Sequence, residues 1–379
     1  MLAPSPFSDS LFLLEEALAA GWAGAVMKTV AVQSGNVSRV YPLVAGVEGE
    51  DGRFLAMGNI DLISEHPVEV VADRIRILKE RFPAKVIIAS IMAKHKEDWQ
   101  TLARCLASAG ADIIECSFAC AHSTDSNLSV PEQDPAVTKS IAAWVKESVA
   151  GRPVVVKLSP QVPDITAVAA AARQGGAAGV VAVNTFKSIS GVDLDTLIPY
   201  PNVGGMSSFS GLSGPAVKPV VLRYTAEIAA KLDIDIAATG GITTWRDGVE
   251  FLLLGAKTLQ VCTAVLRNGP GIISEFTAGL REWMAEKGFC NISDLCGRSL
   301  PYLVDHAQLP RGIRMIAQIR SEACDHCLAC YTACRAGGYQ AIVPAAGRVP
   351  VIDAGLCAGC GICGTVCRPK ALHMVRNVG

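Results

Sequence analysis

From about residue 10 to 285, short apolar runs alternate with longer amphipathic ones. The apolar runs lie at 23–28, 86–91, 112–117, 153–158, 179–184, 235–240 and 258–263, and they are rich in Val, Ile and Ala. Apolar positions at helical spacing fill the stretches between them: 67–81, 97–109, 135–149, 164–175, 216–232 and 245–255. Gly110, Gly151, Gly176 and Gly255 fall just before strands. A strand that is apolar on both faces belongs to a parallel sheet covered by helices on each side. Seven such runs, with a truncated first strand at residues 1–5, predict a (β/α)8 barrel whose active site lies at the C-terminal strand ends. An open doubly wound sheet is the second reading.

The alternation stops near residue 285. Residues 286–314 read as a connector containing Pro301 and Pro310, and a separate domain is expected over 315–379. That domain carries eight of the chain's fourteen cysteines in two runs, Cys324-x2-Cys327-x2-Cys330-x3-Cys334 and Cys357-x2-Cys360-x2-Cys363-x3-Cys367. This is the bacterial ferredoxin spacing, in which three thiolates wrap one cubane and the fourth goes to its neighbour. Cys324, Cys327, Cys330 and Cys367 are therefore expected to hold one [4Fe–4S] cluster, and Cys357, Cys360, Cys363 and Cys334 the other. Small residues Ala358, Gly359, Gly361 and Gly364 would let backbone N–H groups approach the sulfurs. Zinc fits poorly, because its sites prefer well-separated C-x2-C pairs.

Composition narrows the class of protein. Half of the 379 residues are apolar, 18% are charged and the formal net charge is −1, so neither nucleic acid nor an anionic membrane is an expected partner. No uninterrupted apolar stretch reaches the roughly 18 residues of a membrane span. The first ten residues lack the basic segment and apolar core of a signal peptide. Reduced cluster ligands beside several lone cysteines point to the cytoplasm.

Polar residues interrupt the apolar runs where strands end: Lys28, Lys157, Asn184-Thr185, Thr239-Gly240-Gly241 and Cys262-Thr263. In a barrel these positions share one mouth, and glycine turns after the last two strands are where barrels bind phosphate. A lysine beside a flavin stabilises the anionic reduced ring. No G-x-G-x-x-G follows a strand and opens a helix, so no nicotinamide site is expected. Phosphate turns on a chain with two clusters read as a flavin enzyme that exchanges electrons with another protein.

The residues from Leu2 to Leu372 resemble the iron–sulfur/FMN subunit of bacterial dihydropyrimidine dehydrogenases, and more distantly the class 1 dihydroorotate dehydrogenases. The resemblance rests on Ala-Gly-Trp22 with Met-Lys28-Thr, Asn59-Ile-Asp-Leu-Ile-Ser-Glu65, Gln-Asp-Pro135, Val-Lys157-Leu-Ser-Pro160, Asn184-Thr185, Ser-Gly211-Leu-Ser-Gly214-Pro, Ala-Thr-Gly-Gly241-Ile and Gln-Val-Cys262-Thr, in order along the barrel. It implies FMN touching Lys28, Lys157 and Asn184. Ser213, Gly214, Gly240, Gly241, Cys262 and Thr263 would hold its ribityl phosphate. Asn59, Asn184 and Thr185 would bind the substrate, a pyrimidine-like cyclic amide reduced at its C=C bond. It also implies an NAD(P)H/FAD flavoprotein partner in a hetero-oligomer, such as a dimer of heterodimers.

The sequence departs from this family at the fourth barrel strand. The family reads Asn-x-Ser-Cys-Pro-His; here the chain reads Glu115-Cys-Ser-Phe118-Ala-Cys120-Ala-His122. Aligned without a gap, Glu115 takes the substrate-binding place and Phe118 that of the acid cysteine. Aligned on Cys-x-His, Cys120 becomes the acid. A carboxylate offers a ring different hydrogen bonds from a carboxamide, which leaves three functions open: a pyrimidine reductase, a dihydroorotate-type or other enoyl-amide dehydrogenase, and an electron-transfer subunit whose barrel has lost its chemistry.

Overall fold

A computed structural model describes residues 1–118, 134–345 and 347–377 of the chain. Contacts divide it into two compact units, Met1–Tyr302 and Leu303–Gly379.

The first unit contains the strands β1 (Gly24–Val26), β2 (Val44–Glu48), β3 (Phe54–Asn59), β4 (Val86–Ile91), β5 (Ile113–Ser117), β6 (Val154–Lys157), β7 (Gly179–Ala182), β8 (Phe186–Ser188), β9 (Ser210–Ser213), β10 (Asp235–Thr239) and β11 (Thr258–Gln260). Seven of them form a parallel sheet in the order β1-β4-β5-β6-β7-β10-β11. Leu2 makes parallel bridges to both Ala25 and Val261, and so joins the two edges. Its N–H donates to Gly24 O at 3.0 Å and the Ala3 N–H to Val261 O at 2.9 Å. The predicted first strand is thus reduced to a short bridging segment, and the ring is a TIM-barrel-like α/β barrel.

Helices α1 (Leu11–Ala20), α2 (Val68–Arg81), α3 (Lys96–Ser108), α4 (Pro135–Ser148), α5 (Ile165–Gln174), α6 (Lys218–Lys231), α7 (Trp245–Leu253), α8 (Thr263–Asn268) and α9 (Ile273–Lys287) belong to the same unit. Their starts follow from local chemistry. Asp134 caps α4 by accepting from Ala136 N at 2.8 Å, with Pro135 in the first turn. Asp164 does the same for α5, and Thr244 and Asp247 form a capping box on α7. The inner ends of these helices and the outward residues of the strands make one core, including Leu14, Ile75, Leu102, Cys116, Val156 and Phe251, each at most 1% exposed.

Four strands lie outside the ring, in an antiparallel sheet ordered β2-β3-β9-β8. The apolar runs do not predict it, because β2 alternates between exposed and half-buried positions and β8 has three residues. This sheet carries Asn59 and Ser213, and Asn59 registers against Gly211.

The expected connector over 286–314 is divided by the structure. Leu295 is fully buried, and the N–H groups of Gly297 and Ser299 donate to Leu252 O and Leu253 O at 3.0 and 2.9 Å. The chain through residue 302 therefore belongs to the first unit.

The second unit pairs β12 (Met315–Ile319) with β15 (Leu372–Arg376) and β13 (Ile342–Val343) with β14 (Val351–Ile352), all antiparallel. Two short helices complete it, α10 (Ala329–Ala336) and α11 (Ile362–Thr365). Among the described residues no helix is long and apolar enough to cross a membrane.

Candidate active site and cysteine quartets

A cavity opens at the C-terminal ends of the barrel strands. Its wall contains Lys28, Asn59, Lys157, Asn184, Thr185, Ser213, Gly214, Gly240, Gly241, Cys262 and Thr263, so residues far apart in the sequence meet in one place. Glu115 is not on this wall, and Cys120 lies outside the described residues.

The two lysines differ in their surroundings. Lys28 is 6% exposed and its Nζ forms an ion pair with Asp61, whose side chain is 4% exposed. The other Asp61 carboxylate oxygen, Oδ1, is buried with no partner. Lys157 ends β6, is 8% exposed, and makes no ion pair or hydrogen bond among the described residues. A buried ammonium without a counter-charge is costly unless something in the cavity supplies one. The flavin ring of FMN, anionic when reduced, meets that requirement, so the donor set at this mouth fits the cofactor.

The remaining wall is built to approach a ligand closely. Gly241 adopts φ +77°, and a Cβ there would lie 2.8 Å from the Lys218 backbone nitrogen, so glycine is required both by conformation and by space. Lys218 is itself held by Asp247 at 2.7 Å, and Asp247 also accepts from Thr243 N and Thr244 N at 2.9 and 2.8 Å. The turn after β10 is thereby tied to both α6 and α7. On the opposite side Thr263 Oγ1 donates to Ser213 Oγ at 2.9 Å, and Asn59 Nδ2 donates to Gly211 O at 2.8 Å. Burial pushes the Cys262 thiol above its ordinary range, with the charges of Lys157 and Lys28 pulling the other way.

Of the fourth-strand motif, residues 115–118 are among those described. Phe118 is 7% exposed and packs edge-on against Trp99 of α3, with ring centroids 5.9 Å apart, which commits it to the core rather than the cavity. Cys116 is fully buried in the same core, where burial raises its thiol pKa strongly. Glu115 is also fully buried, but it faces the barrel interior, where its Oε1 accepts from Ser90 Oγ at 2.9 Å. The carboxylate placed by resemblance against a substrate is thus turned to a serine on the neighbouring strand.

Sequence reasoning passed over Asp61, Thr29 and Gln260, which also line the cavity. Asp61 carries a readable signal, an acid two residues after Asn59 at the end of a strand. Asp9, Glu65 and His66 form the only group of three or more candidate metal ligands within 4.8 Å of one another among the described residues. Arg39 pairs with both acids, and Arg74 meets His66 Nε2 at 3.1 Å, so this group is satisfied by arginines.

The second unit contains two small cavities. One is lined by Cys324, Cys327, Cys330 and Cys367, the other by Cys334, Cys357, Cys360 and Cys363. Each cavity gathers three cysteines of one run and the fourth cysteine of the other, the partition that two cubane clusters would need. Backbone N–H groups already serve the sulfurs: Ala341 N donates to Cys334 Sγ at 3.3 Å and Ala371 N to Cys367 Sγ at 3.2 Å. Gly359 also has a steric role. A Cβ there would sit 2.3 Å from Met315 O, so glycine lets this loop pass the β12 backbone.

Barrel, lysine-bearing mouth and phosphate-type turns define a class, and the comparisons agree: the chain belongs to the dihydroorotate dehydrogenase family, whose pattern matches residues 16–284. It is a dihydropyrimidine-dehydrogenase-like oxidoreductase acting on CH–CH groups. Among particular relatives, the NAD-dependent dihydropyrimidine dehydrogenase subunit PreA of Escherichia coli K12 is 38% identical over 345 residues, 90% of this chain and 83% of that protein. The chloroplastic dihydropyrimidine dehydrogenase (NADP(+)) of Arabidopsis thaliana is 31% identical over 82% of this chain and 76% of its own. The catalytic subunit of dihydroorotate dehydrogenase B (NAD(+)) of Pyrococcus furiosus is 38% identical over 58% of this chain and 70% of its own.

Proposed function

We propose that this protein is the FMN- and iron–sulfur-carrying subunit of a cytoplasmic enzyme that reduces or oxidises the C=C bond of a pyrimidine-like cyclic amide. Electrons pass through two [4Fe–4S] clusters from an NAD(P)H/FAD flavoprotein subunit. The observation that carries this reading is the presence, on one chain, of two cysteine-lined cavities and a barrel mouth with an uncompensated buried lysine. The PreA relative is itself named as a subunit, which supports a hetero-oligomer.

When bound, FMN supplies two-electron chemistry toward the ring and one-electron exchange with the clusters. Lys157 and Lys28 balance negative charge at the flavin ring, with Asp61 holding Lys28 in place. Ser213, Gly214, Gly240, Gly241, Cys262 and Thr263 hold the ribityl phosphate, and Asn59, Asn184 and Thr185 orient the substrate ring. Cys120 delivers a proton to it.

The reading is tested by reducing the protein-bound flavin anaerobically and adding uracil, thymine, orotate and related ring amides. At least one should reoxidise the flavin. If none does, while an electron acceptor protein reoxidises it readily, the barrel serves electron transfer only.

Replacing Lys157 with alanine removes the one cavity cation that has no partner among the described residues. Flavin content or the rate of flavin reduction should fall by an amount on the order of 2–4 kcal/mol, comparable with loss of one oxyanion-hole donor. Unaltered flavin content and reduction rate would make Lys157 an ordinary strand end.

A further inference from the structure

The two cysteine-lined cavities of the second unit differ in what surrounds them. In the first, Cys330 is buried, Cys324 and Cys367 are half-buried and Cys327 is exposed. In the second, Cys334, Cys357 and Cys363 are buried and Cys360 alone is exposed. Exposed charges interleave with the wall of the first. Arg320 follows Ile319, Arg368 lies between Cys367 and Pro369, and Lys370 between Pro369 and Ala371. The Arg320 guanidinium donates to Lys370 O at 2.7 Å and its backbone N–H to Ala371 O at 2.9 Å, which ties these cations together. One acid on this wall, Asp325, stands against the three. Along the second wall, Arg335 beside Cys334 is the only such charge among the described residues, and Val343, Leu356 and Ile362 are exposed there instead.

Two roles could explain the cations. A [4Fe–4S] core with four thiolates is anionic, so arginines nearby could serve only to balance it. Both clusters would carry the same charge, however, and balance alone would place cations equally at both. They gather instead at the cavity whose ligands are the more exposed. Electron transfer between proteins falls off steeply with distance, so the more exposed cluster is the one reached faster from outside. A patch of one sign beside it steers a partner of the opposite sign onto it. We propose that electrons cross between proteins at the cluster of Cys324, Cys327, Cys330 and Cys367, and that Arg320, Arg368 and Lys370 dock an acidic surface around the redox centre of the donor protein. In that step the donor loses one electron and the cluster gains it; no bond forms or breaks. The cluster of Cys334, Cys357, Cys360 and Cys363 is the next acceptor. The inference rests on the two-cluster reading above.

The experiment takes the full, cofactor-loaded chain, reduces it with dithionite and mixes it with ferricyanide, a trianion, or hexaammineruthenium(III), a trication. Loss of the reduced-cluster EPR signal in rapid-freeze samples gives the rate. At about 20 mM salt, where charge acts over a long range, Arg368→Gln combined with Lys370→Gln should slow oxidation by ferricyanide about three- to tenfold, the lower part of the range over which steering changes rates. The same variant should quicken oxidation by the ruthenium complex. At about 0.5 M salt both differences should vanish, because screening then confines charge to a few ångström. Arg335→Gln, beside the other quartet, should change neither rate, and the charge-conserving Arg368→Lys with Lys370→Arg should keep the wild-type behaviour. Iron content should be the same throughout. Should the glutamine variant lose iron, the wild-type protein decides: its ferricyanide rate must fall with rising salt, although the chain as a whole has a formal net charge of −1. Equal slowing by Arg335→Gln, or rates indifferent to these cations and to salt, overturns the inference and leaves both clusters in place. Fewer than about eight irons in the wild-type protein overturns the two-cluster reading, and this inference with it.

Discussion

Replacing Cys363 with alanine should halve the iron content of anaerobically purified protein, from about eight to about four atoms per chain. Cys363 lines the cavity it shares with Cys334, Cys357 and Cys360, while the other quartet keeps all its members. The loss should extend beyond the metal. The core of the second unit comprises Ala317, Cys330, Cys334, Ala341, Ile342, Cys357 and Cys363, and four of these seven residues are cysteines. So small an apolar core cannot offset the conformational entropy of the segment, and much of its folding free energy must come from ligation. Chelation should therefore unfold this unit cooperatively, whereas the first unit, with a core of several dozen buried side chains, keeps its helical signal. Stoichiometric zinc in the wild-type protein, or four irons in place of eight, would overturn the assignment of two clusters.

Cys120→Ser should lower turnover by roughly 100- to 10,000-fold, the range over which a general acid contributes, because a serine hydroxyl is a far weaker proton donor than a thiol. Flavin reduction by the partner subunit should be unaffected, which separates loss of the acid from loss of the cofactor. Cys116→Ala is the control. Cys116 is exposed to neither cavity nor solvent, being packed in the core behind β5. Its removal should cost stability on the scale of a small cavity, about 1 kcal/mol, and leave turnover nearly unchanged. Essential Cys116 with dispensable Cys120 would overturn the assignment of Cys120 as the acid; if neither cysteine mattered, the motif would be in register without a gap, with Phe118 in the acid's place. The position of Phe118, edge-on to Trp99 and away from the cavity, argues against that register.

Legibility of the fold tracks how completely each element is buried. β4, β6 and β7 are covered on both faces, so they read as unbroken apolar runs, and the helices between them read from one apolar face. β2, with exposed and half-buried positions in alternation, leaves no such run. Lys28 and Lys157 were legible for the converse reason, since a charge at the end of an apolar strand needs an explanation. Asp61 stood in plain view two residues from Asn59 but had no evident partner, because its partner is Lys28, 33 residues away.

Local spacing alone is enough to propose two iron–sulfur clusters, because a C-x2-C-x2-C run places three thiolates within one turn of chain whatever surrounds it. Local periodicity is likewise enough to propose a barrel, since two-faced burial leaves its mark on β4, β6 and β7. The placement of Glu115 is of another kind. Ser90 and Glu115 are 25 residues apart, and Thr29 and Ser90 are 61 apart. They meet because β4 pairs with β5 in a register that sets Ser90 opposite Glu115. Shifting that pairing by one residue would turn Glu115 toward the helices and Cys116 toward the barrel interior. Only the closed sheet chooses between these, since register is decided by the packing of all its strands at once.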